Sequence, residues 1–298
     1  MKLSSNNLRH LVARSIPKRA RKYVPEIIYK HLYFTGPFDL YFENKKIGKL
    51  QNTSSIIENQ VFWRGLEKSH ESVSIFIWLN LLRYFKPSRV LDIGANSGIY
   101  GILTKLICPN SEIHFFEPSV ECNFYIQETL RLNNHVNGFM IHNVALSDQD
   151  NIEQSFVAKS KSGVPYTYVG RELIGVRGQF RETKMVRLDS FFNQLSLKEF
   201  QFVKMDIEGH EPQALEGFGE LLKQDFILLI EILDDFAALQ ISNFFSNDDF
   251  VFYNIDDDKG KIIKQSTLTK SYKYNFLVIP KKISSKVDSI ISGLVSNL

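Results

Sequence analysis

Cysteine is scarce in this chain. Only Cys108 and Cys122 occur in 298 residues, too few for a disulfide framework and at a spacing that fits no zinc motif. Long apolar runs are missing too. None approaches the roughly 18 uninterrupted residues of a membrane-spanning helix, and the N-terminus has no apolar core of a secretory signal. Neither charge dominates: 36 Lys and Arg against 33 Asp and Glu leave a formal net charge of +3, so no overall field calls for nucleic acid. Internal repeats and low-complexity tracts are absent. These absences predict a globular protein of a reducing interior, the cytoplasm. The length suits one large α/β domain, or a domain with an appendage.

What is present concentrates in a few short stretches. Arg89-Val90-Leu91-Asp92-Ile93 is a short apolar strand that runs into Gly94-Ala95-Asn96-Ser97-Gly98, and a helix-compatible run follows toward Cys108-Pro109. Strand, glycine turn and helix N-terminus form the usual nucleotide-binding corner of an open α/β sheet. A dinucleotide fold would need Gly-x-Gly-x-x-Gly, but position 96 is Asn, and Asp92 puts a carboxylate where a diphosphate would sit. That charge suits a cationic ligand such as S-adenosylmethionine, and Asp92, Gly94, Asn96 and Gly98 are the candidate residues for its methionine part. About 25 residues on, Ile113-His114-Phe115-Phe116 ends in Glu117-Pro118. An acid at about this distance accepts hydrogen bonds from ribose hydroxyls. Pro118 stops the strand and is suited to open the next helix.

A second cluster is Lys204-Met205-Asp206-Ile207-Glu208-Gly209-His210-Glu211-Pro212. Ligands in open α/β sheets lie beyond the carboxyl ends of the strands, so this cluster is expected to face the same crevice. A helix N-terminus accounts for Glu211 and Pro212. It does not account for Asp206, Glu208 and His210 alternating just past a buried strand, and clustered ionisable groups in clefts mark sites. Asp206 and Glu208 are oxygen donors of the kind Mg²⁺ takes, but no further ligand is identifiable, so no metal is predicted.

Along the chain, residues 1–64 read as a basic N-terminal extension. Leu8, Leu11, Val12 and Ile16 repeat at helical spacing beside Arg14, Lys18, Arg19, Arg21 and Lys22, the composition of an amphipathic helix able to touch an anionic membrane. Residues 38–42 and 47–50 look like a hairpin. A helix is expected over 67–85, and then strands at 90–93, 113–116, 139–144, 202–205, 226–232, 250–255 and 276–279. Strand and helix alternate through this region, as in a mostly parallel sheet. Residues 155–187, rich in Gly, Tyr and Arg, break the alternation and read as an inserted hairpin or lid. The main domain is set at 65–283 and a tail at 284–298.

Taken together, Asp92-Ile93-Gly94-Ala95-Asn96-Ser97-Gly98, Phe116-Glu117-Pro118-Ser119, Val144-Ala145-Leu146-Ser147-Asp148, Arg187-Leu188-Asp189 and Lys204-Met205-Asp206-Ile207-Glu208-Gly209-His210-Glu211 resemble the FkbM family of S-adenosylmethionine-dependent methyltransferases. The resemblance covers about residues 65 to 280. It implies a class I, Rossmann-like sheet of seven strands with an antiparallel last strand, and methylation of a hydroxyl on a sugar, glycolipid or polysaccharide precursor. A small natural product is the alternative acceptor. His210 is the candidate base, Asp206 its orienting partner or a donor contact, and Glu208 a second acceptor contact. Glu71 matches an acid the family often carries before the glycine turn. Asn143 and Ala145, ending the third strand, are expected beside the adenine. A NAD-dependent oxidoreductase is contradicted by Asp92 and Asn96. A nucleic-acid methyltransferase lacks its Asn/Asp-Pro-Pro-aromatic element, and its phosphate backbone would be repelled by the acids. A membrane-surface module with an inactive core sits poorly with the full set of acids and His210.

Overall fold

In a computed structural model of the chain, residues 12–29, 31–32, 35–53, 55–135, 137–159, 165–169, 178–269 and 273–295 are described. Leu8 and Leu11 of the predicted amphipathic helix lie, respectively, before and at the edge of this range, outside the described residues. Residues 12–15 are helical, and two short helical turns follow at Lys18–Arg21 and Glu26–Tyr29. Ala13 is fully buried and the Arg14 guanidinium donates to the Pro37 carbonyl at 3.0 Å, so the described part of the basic segment is packed on the fold.

The first two strands, β1 (Gly36–Phe42) and β2 (Lys45–Asn52), form the expected hairpin. Its turn is tighter than the sequence suggested. Glu43 and Asn44 alone make it, both at positive φ (48° and 61°), the type I′ geometry that matches strand twist. Phe38, Leu40 and Phe42 point inward at period two. The hairpin edge is sealed by a helix (Val120–Leu132): the Lys49 and Gln51 amides donate to Asn133 Oδ1 and Thr129 Oγ1 at 2.7 and 3.2 Å.

The main sheet has eight strands: β3 (Arg89–Ile93), β4 (Glu112–Phe116), β5 (Phe139–His142), β10 (Phe202–Met205), β11 (Ile227–Glu231), β12 (Phe250–Asp256), β13 (Lys261–Gln265) and β14 (Asn275–Pro280). Their order is β13-β12-β14-β11-β10-β3-β4-β5. The pairs from β11 through β10, β3 and β4 to β5 are parallel, and β14 runs antiparallel to both its neighbours. Seven strands were expected. The eighth, β13, follows the Asp257–Gly260 turn and was missed because its burial is slight. Strand residues alternate between two apolar layers. Val90, Phe115 and Phe202 face one, with helices Ser72–Phe85 and Ile99–Ile107. Leu91, Phe116 and Val203 face the other, with helices Leu188–Gln194, Glu211–Glu216 and Asp235–Ser242. Each large side chain in such a layer is worth about 3–5 kcal/mol against truncation to Ala.

A second sheet, of order β6-β9-β7-β8, contains β6 (Ala145–Leu146), β7 (Asn151–Lys159), β8 (Pro165–Val169) and β9 (Gly178–Val186). The predicted insertion is thus a strand cluster tied to the end of the third-strand region by β6, not a lone hairpin. Its punctuating residues Ser162, Gly163, Gly170 and Gly175 lie outside the described residues. Within the stretch expected as a tail, Ser284–Val295 form a helix whose Val287 is fully buried.

Candidate active site

The carboxyl ends of β3, β4 and β10 meet at one cavity. Gly94, Asn96, Glu117, Pro118, Ala145, Asp206, Glu208 and His210 all line it, so eight of the sequence candidates come together. Gly94 is required there for two reasons. Its φ is 73°, and a Cβ would stand 1.9 Å from the Asp206 carbonyl oxygen. The close approach is held by the Asp206 amide donating to the Ile93 carbonyl at 3.0 Å and the Gly94 amide to the Phe116 carbonyl at 2.9 Å.

Glu117 is 6 % exposed. One of its carboxylate oxygens accepts from the Asn96 amide and the other from the Ser119 amide, each at 2.8 Å. These bonds fix the carboxylate at the cavity wall and leave each oxygen a second lone pair for a diol. Burial pushes its pKa up to about 7, against the two amides. Ser119, not Pro118, is the N-cap of the next helix, its Oγ accepting from the Cys122 amide.

Four candidates do not line the cavity. Asp92 is 3 % exposed and faces inward, its Oδ2 accepting from the Gly101 amide at 2.8 Å inside the following helix. It holds that helix to β3 and acts on the cavity only through position. Gly98 starts the helix at φ 72°, with its missing Cβ against Ile126. Asn143 donates from Nδ2 to the Pro118 and Glu117 carbonyls at 2.8 and 3.2 Å, clamping the wall from behind. Glu71 was expected on the helix. It instead precedes it in a left-handed conformation, φ 53°, with Tyr100 Oη and Asn275 Nδ2 each donating to it at 2.8 Å. The helix is capped by a distant residue: Asp257 Oδ1 accepts from the Val73 and Ser74 amides at 2.8 and 2.9 Å.

Electrostatically, one ammonium sits among carboxylates. Lys204 is 2 % exposed, and its Nζ stands 3.3 Å from Asp206 Oδ2. Burial would lower its pKa, but Asp206, Glu71 and Glu231 raise it well above the ordinary lysine value. Burial would raise Glu71, but Lys204 and His70 hold it below the usual range. Glu231, at the end of β11, is pushed up by burial and then by Asp206. Glu231 is thereby held in its neutral acid form, and Asp206 and Glu71 outnumber the one ammonium beside the cavity.

The Lys204 to Glu211 segment folds as a strand end followed by a tight loop. Glu208 (φ 59°) and Gly209 (φ 97°) are both left-handed, and Glu211 Oε1 accepts from the Ile207 and Gly209 amides at 2.9 and 3.2 Å. Glu211 thus clamps the loop, a role the helix-dipole reading missed. His210 Nε2 lies 3.0 Å from Ser147 Oγ, and that hydroxyl donates to Asp148 Oδ1 at 2.9 Å. A hydroxyl has one proton. With it given to Asp148, Nε2 must donate to Ser147, which leaves Nδ1 as the basic nitrogen. Burial lowers the His210 pKa against the pull of Asp148 and Glu153, so the ring is neutral and able to take a proton at pH 7.

Several lining residues carried no usable sequence signal. Ile57 comes from the N-terminal helix Ile56–Arg64, and Thr167 and Val169 from β8 in the insertion. Ser147 was visible only as part of Leu146-Ser147-Asp148. Among the described residues, no three His, Cys, Asp or Glu side chains are grouped to hold a metal ion, and no helix is long and apolar enough to cross a membrane.

With this geometry in view, the sequence comparison is decisive. The model of the Methyltransferase FkbM domain matches residues 92–253, more than half of the chain. The chain belongs to the FkbM methyltransferase family. No curated protein sequence matches it. Among solved structures, this FkbM-family chain is similar to a SAM-dependent methyltransferase from Agrobacterium tumefaciens, with 8% identity, a TM-score of 0.46 and coverage of 82% of this chain and 70% of that one. It is also similar to an O-methyltransferase from Bacillus cereus in complex with SAH, at 12% identity, TM-score 0.40 and coverage of 70% and 80%. A precorrin-6y C5,15-methyltransferase from Geobacter metallireducens shows 12% identity, TM-score 0.38 and coverage of 72% and 91%. Each is a distant likeness, and none lends this chain a residue role.

Proposed function

We propose that this methyltransferase moves a methyl group from S-adenosylmethionine to a hydroxyl on a sugar, glycolipid or polysaccharide precursor. The observation that carries the reading is the meeting of two groups in the lining of one cavity: Gly94, Asn96 and Glu117 from the ends of β3 and β4, and Asp206, Glu208 and His210 from the segment after β10. The first group fits the donor. Gly94 lets the β3 turn close against the Asp206 carbonyl at the cavity wall, Glu117 presents lone pairs to a ribose diol, and Asp206 and Glu71 outnumber Lys204 and favour a cation. When bound, S-adenosylmethionine supplies a methyl group already activated on sulfur. The chain's own task is then to orient the acceptor oxygen and remove its proton.

An alcohol holds its proton too tightly to lose it unaided near neutral pH. His210 Nδ1 is the base that takes it, and Ser147 with Asp148 fixes the tautomer from the far side of the ring. Asp206 and Glu208 accept hydrogen bonds from neighbouring acceptor hydroxyls, which is why a polyhydroxylated acceptor fits better than an isolated alcohol. Leu146, Thr167 and Val169 form a wall over the same space and limit water.

The test has two arms. Calorimetry with S-adenosylhomocysteine should show binding to the wild type and at least tenfold weaker binding to Glu117→Ala. Mass spectrometry of glycan and lipid fractions, from cells with and without the protein, should reveal one species heavier by one methyl group. Equal affinity in Glu117→Ala overturns the donor placement, and a methylated product on nitrogen or carbon overturns the hydroxyl reading.

A further inference from the structure

A second cavity, of about 1070 Å³, lies between the N-terminal segment, the β1–β2 hairpin and the end of helix Ile56–Arg64. Among the described residues, eight Lys and Arg side chains line it against two acids, Asp39 and Glu67. Both acids also hold partners outside the row of cations. Asp39 pairs with Lys46 at 2.8 Å, and Glu67 Oε1 accepts from the Glu43 amide at 2.8 Å. The cations hold mainly uncharged local partners: the Arg64 guanidinium donates to the Lys22 and Val24 carbonyls and Lys18 Nζ lies over the Tyr41 ring, contacts that leave positive charge in surplus. Arg21 is half-buried over the Phe62 ring, its Nε donating to the Ile16 carbonyl, and burial and then Arg14 lower its pKa against Tyr41. Lys18 is lowered by burial and by Arg21, with Asp39 and Glu67 opposing. Gathering like charges in a concave, partly desolvated space is unfavourable unless an anion joins them.

We propose that this groove is a binding site for a phosphate or diphosphate ester, and that it holds the phosphate of the acceptor while the hydroxyl is methylated. A guanidinium and ammonium lining is suited to phosphate oxygens. The concave shape favours a discrete phosphorylated molecule over a flat membrane surface. Tyr23, 75 % exposed on the rim, offers an aromatic face to a sugar ring. The two cavities share one helix: Ile57 lines the active site, and Arg64 lines the groove. Along that helix the two residues stand seven positions, about 10 Å, apart, a span within the reach of one phosphosaccharide. The groove stands on its own charge and shape. Only the identity of its occupant as the acceptor rests on the glycan reading above.

The test uses the full-length protein with pyrophosphate as probe. Calorimetry should show binding to the wild type and to His210→Ala, with at least tenfold weaker binding to a triple variant, Arg19→Gln, Lys22→Gln and Lys68→Gln. Those three positions are exposed, and melting temperature with S-adenosylhomocysteine affinity checks that the triple variant is folded. Equal pyrophosphate binding in the triple variant overturns the site. Displacement of pyrophosphate by S-adenosylhomocysteine also overturns it, because the probe would then occupy the donor cavity. In a parallel arm, vesicles of phosphatidylcholine with phosphatidylserine are mixed with the protein. Sedimentation with them that pyrophosphate does not compete would replace a built phosphate site with a membrane-facing basic surface. These outcomes do not depend on methyl transfer, so the phosphate site and the glycan reading fail separately.

Discussion

Replacing Gly94 by Ala tests whether the β3 turn is shaped by its contact with the β10 end. Three glycines at similar positive φ form a graded series. Gly260, at φ 64°, has open space where its Cβ would go. At Gly98, φ 72°, the new methyl meets the Ile126 side chain at 2.7 Å, which can move. At Gly94 it meets backbone, the Asp206 carbonyl at 1.9 Å. The left-handed conformation costs each Ala variant about 1–2 kcal/mol. Gly94→Ala must also part the ends of two central strands, straining the Asp206-to-Ile93 and Gly94-to-Phe116 hydrogen bonds, worth about 1 kcal/mol each. The total is about 3–4 kcal/mol, or roughly 6–16 °C in melting temperature for a domain of this size. Gly260→Ala should lose only about 2–8 °C. Thermal unfolding followed by circular dichroism, with S-adenosylhomocysteine affinity measured alongside, separates the cases. If Gly94→Ala melts with Gly260→Ala and keeps its affinity, the argument from strand contact is wrong.

His210→Ala should reduce kcat by about 10²- to 10⁴-fold while donor affinity stays within twofold, since the ring is assigned to the acceptor proton; a parallel loss of donor binding would make the residue structural. The wild-type rate should fall on the acid side, below the usual histidine pKa of 6.5, because burial lowers the His210 value and protonation removes the base. Asp257→Ala removes the cap of helix Ser72–Phe85 and should cost about 1–2 kcal/mol in denaturant unfolding, although the two lie about 180 positions apart in sequence. Glu58, fully buried in the N-terminal helix, has its pKa raised from 4.5 to about 7 by burial. A carboxyl raised on folding stabilises in its protonated form: that contribution is whole below 4.5 and is lost as pH rises through 7. The wild type should therefore lose melting temperature more steeply than Glu58→Gln between pH 5 and 8, and parallel curves would place the titration elsewhere.

The proposed donor half of the site was legible because its determinants are local. Asp-x-Gly-x-x-x-Gly and the acid about 25 residues later are each set by one strand end, so spacing alone brought Gly94, Asn96 and Glu117 to the cavity. The direction of a side chain at a strand end is not local. Asp92 and Gly94 are two residues apart, but Asp92 turns inward because the Gly101 amide, one helical turn into the next element, offers it a partner that water would otherwise supply. Glu71 shows the same limit. It stands in a left-handed conformation before a helix whose first amides are taken by Asp257, and no pattern near residue 71 reports a carboxylate from 257. The proposed acceptor side depends most on contacts distant in sequence: Ile57, Thr167 and Val169 arrive from an N-terminal helix and an inserted sheet. Local motifs therefore bring the proposed donor residues to the cavity, and distant contacts shape the wall that the proposed acceptor must match. Selectivity in this chain should accordingly follow exchanges in residues 56–64 and 165–169 more closely than exchanges in the Asp-x-Gly turn.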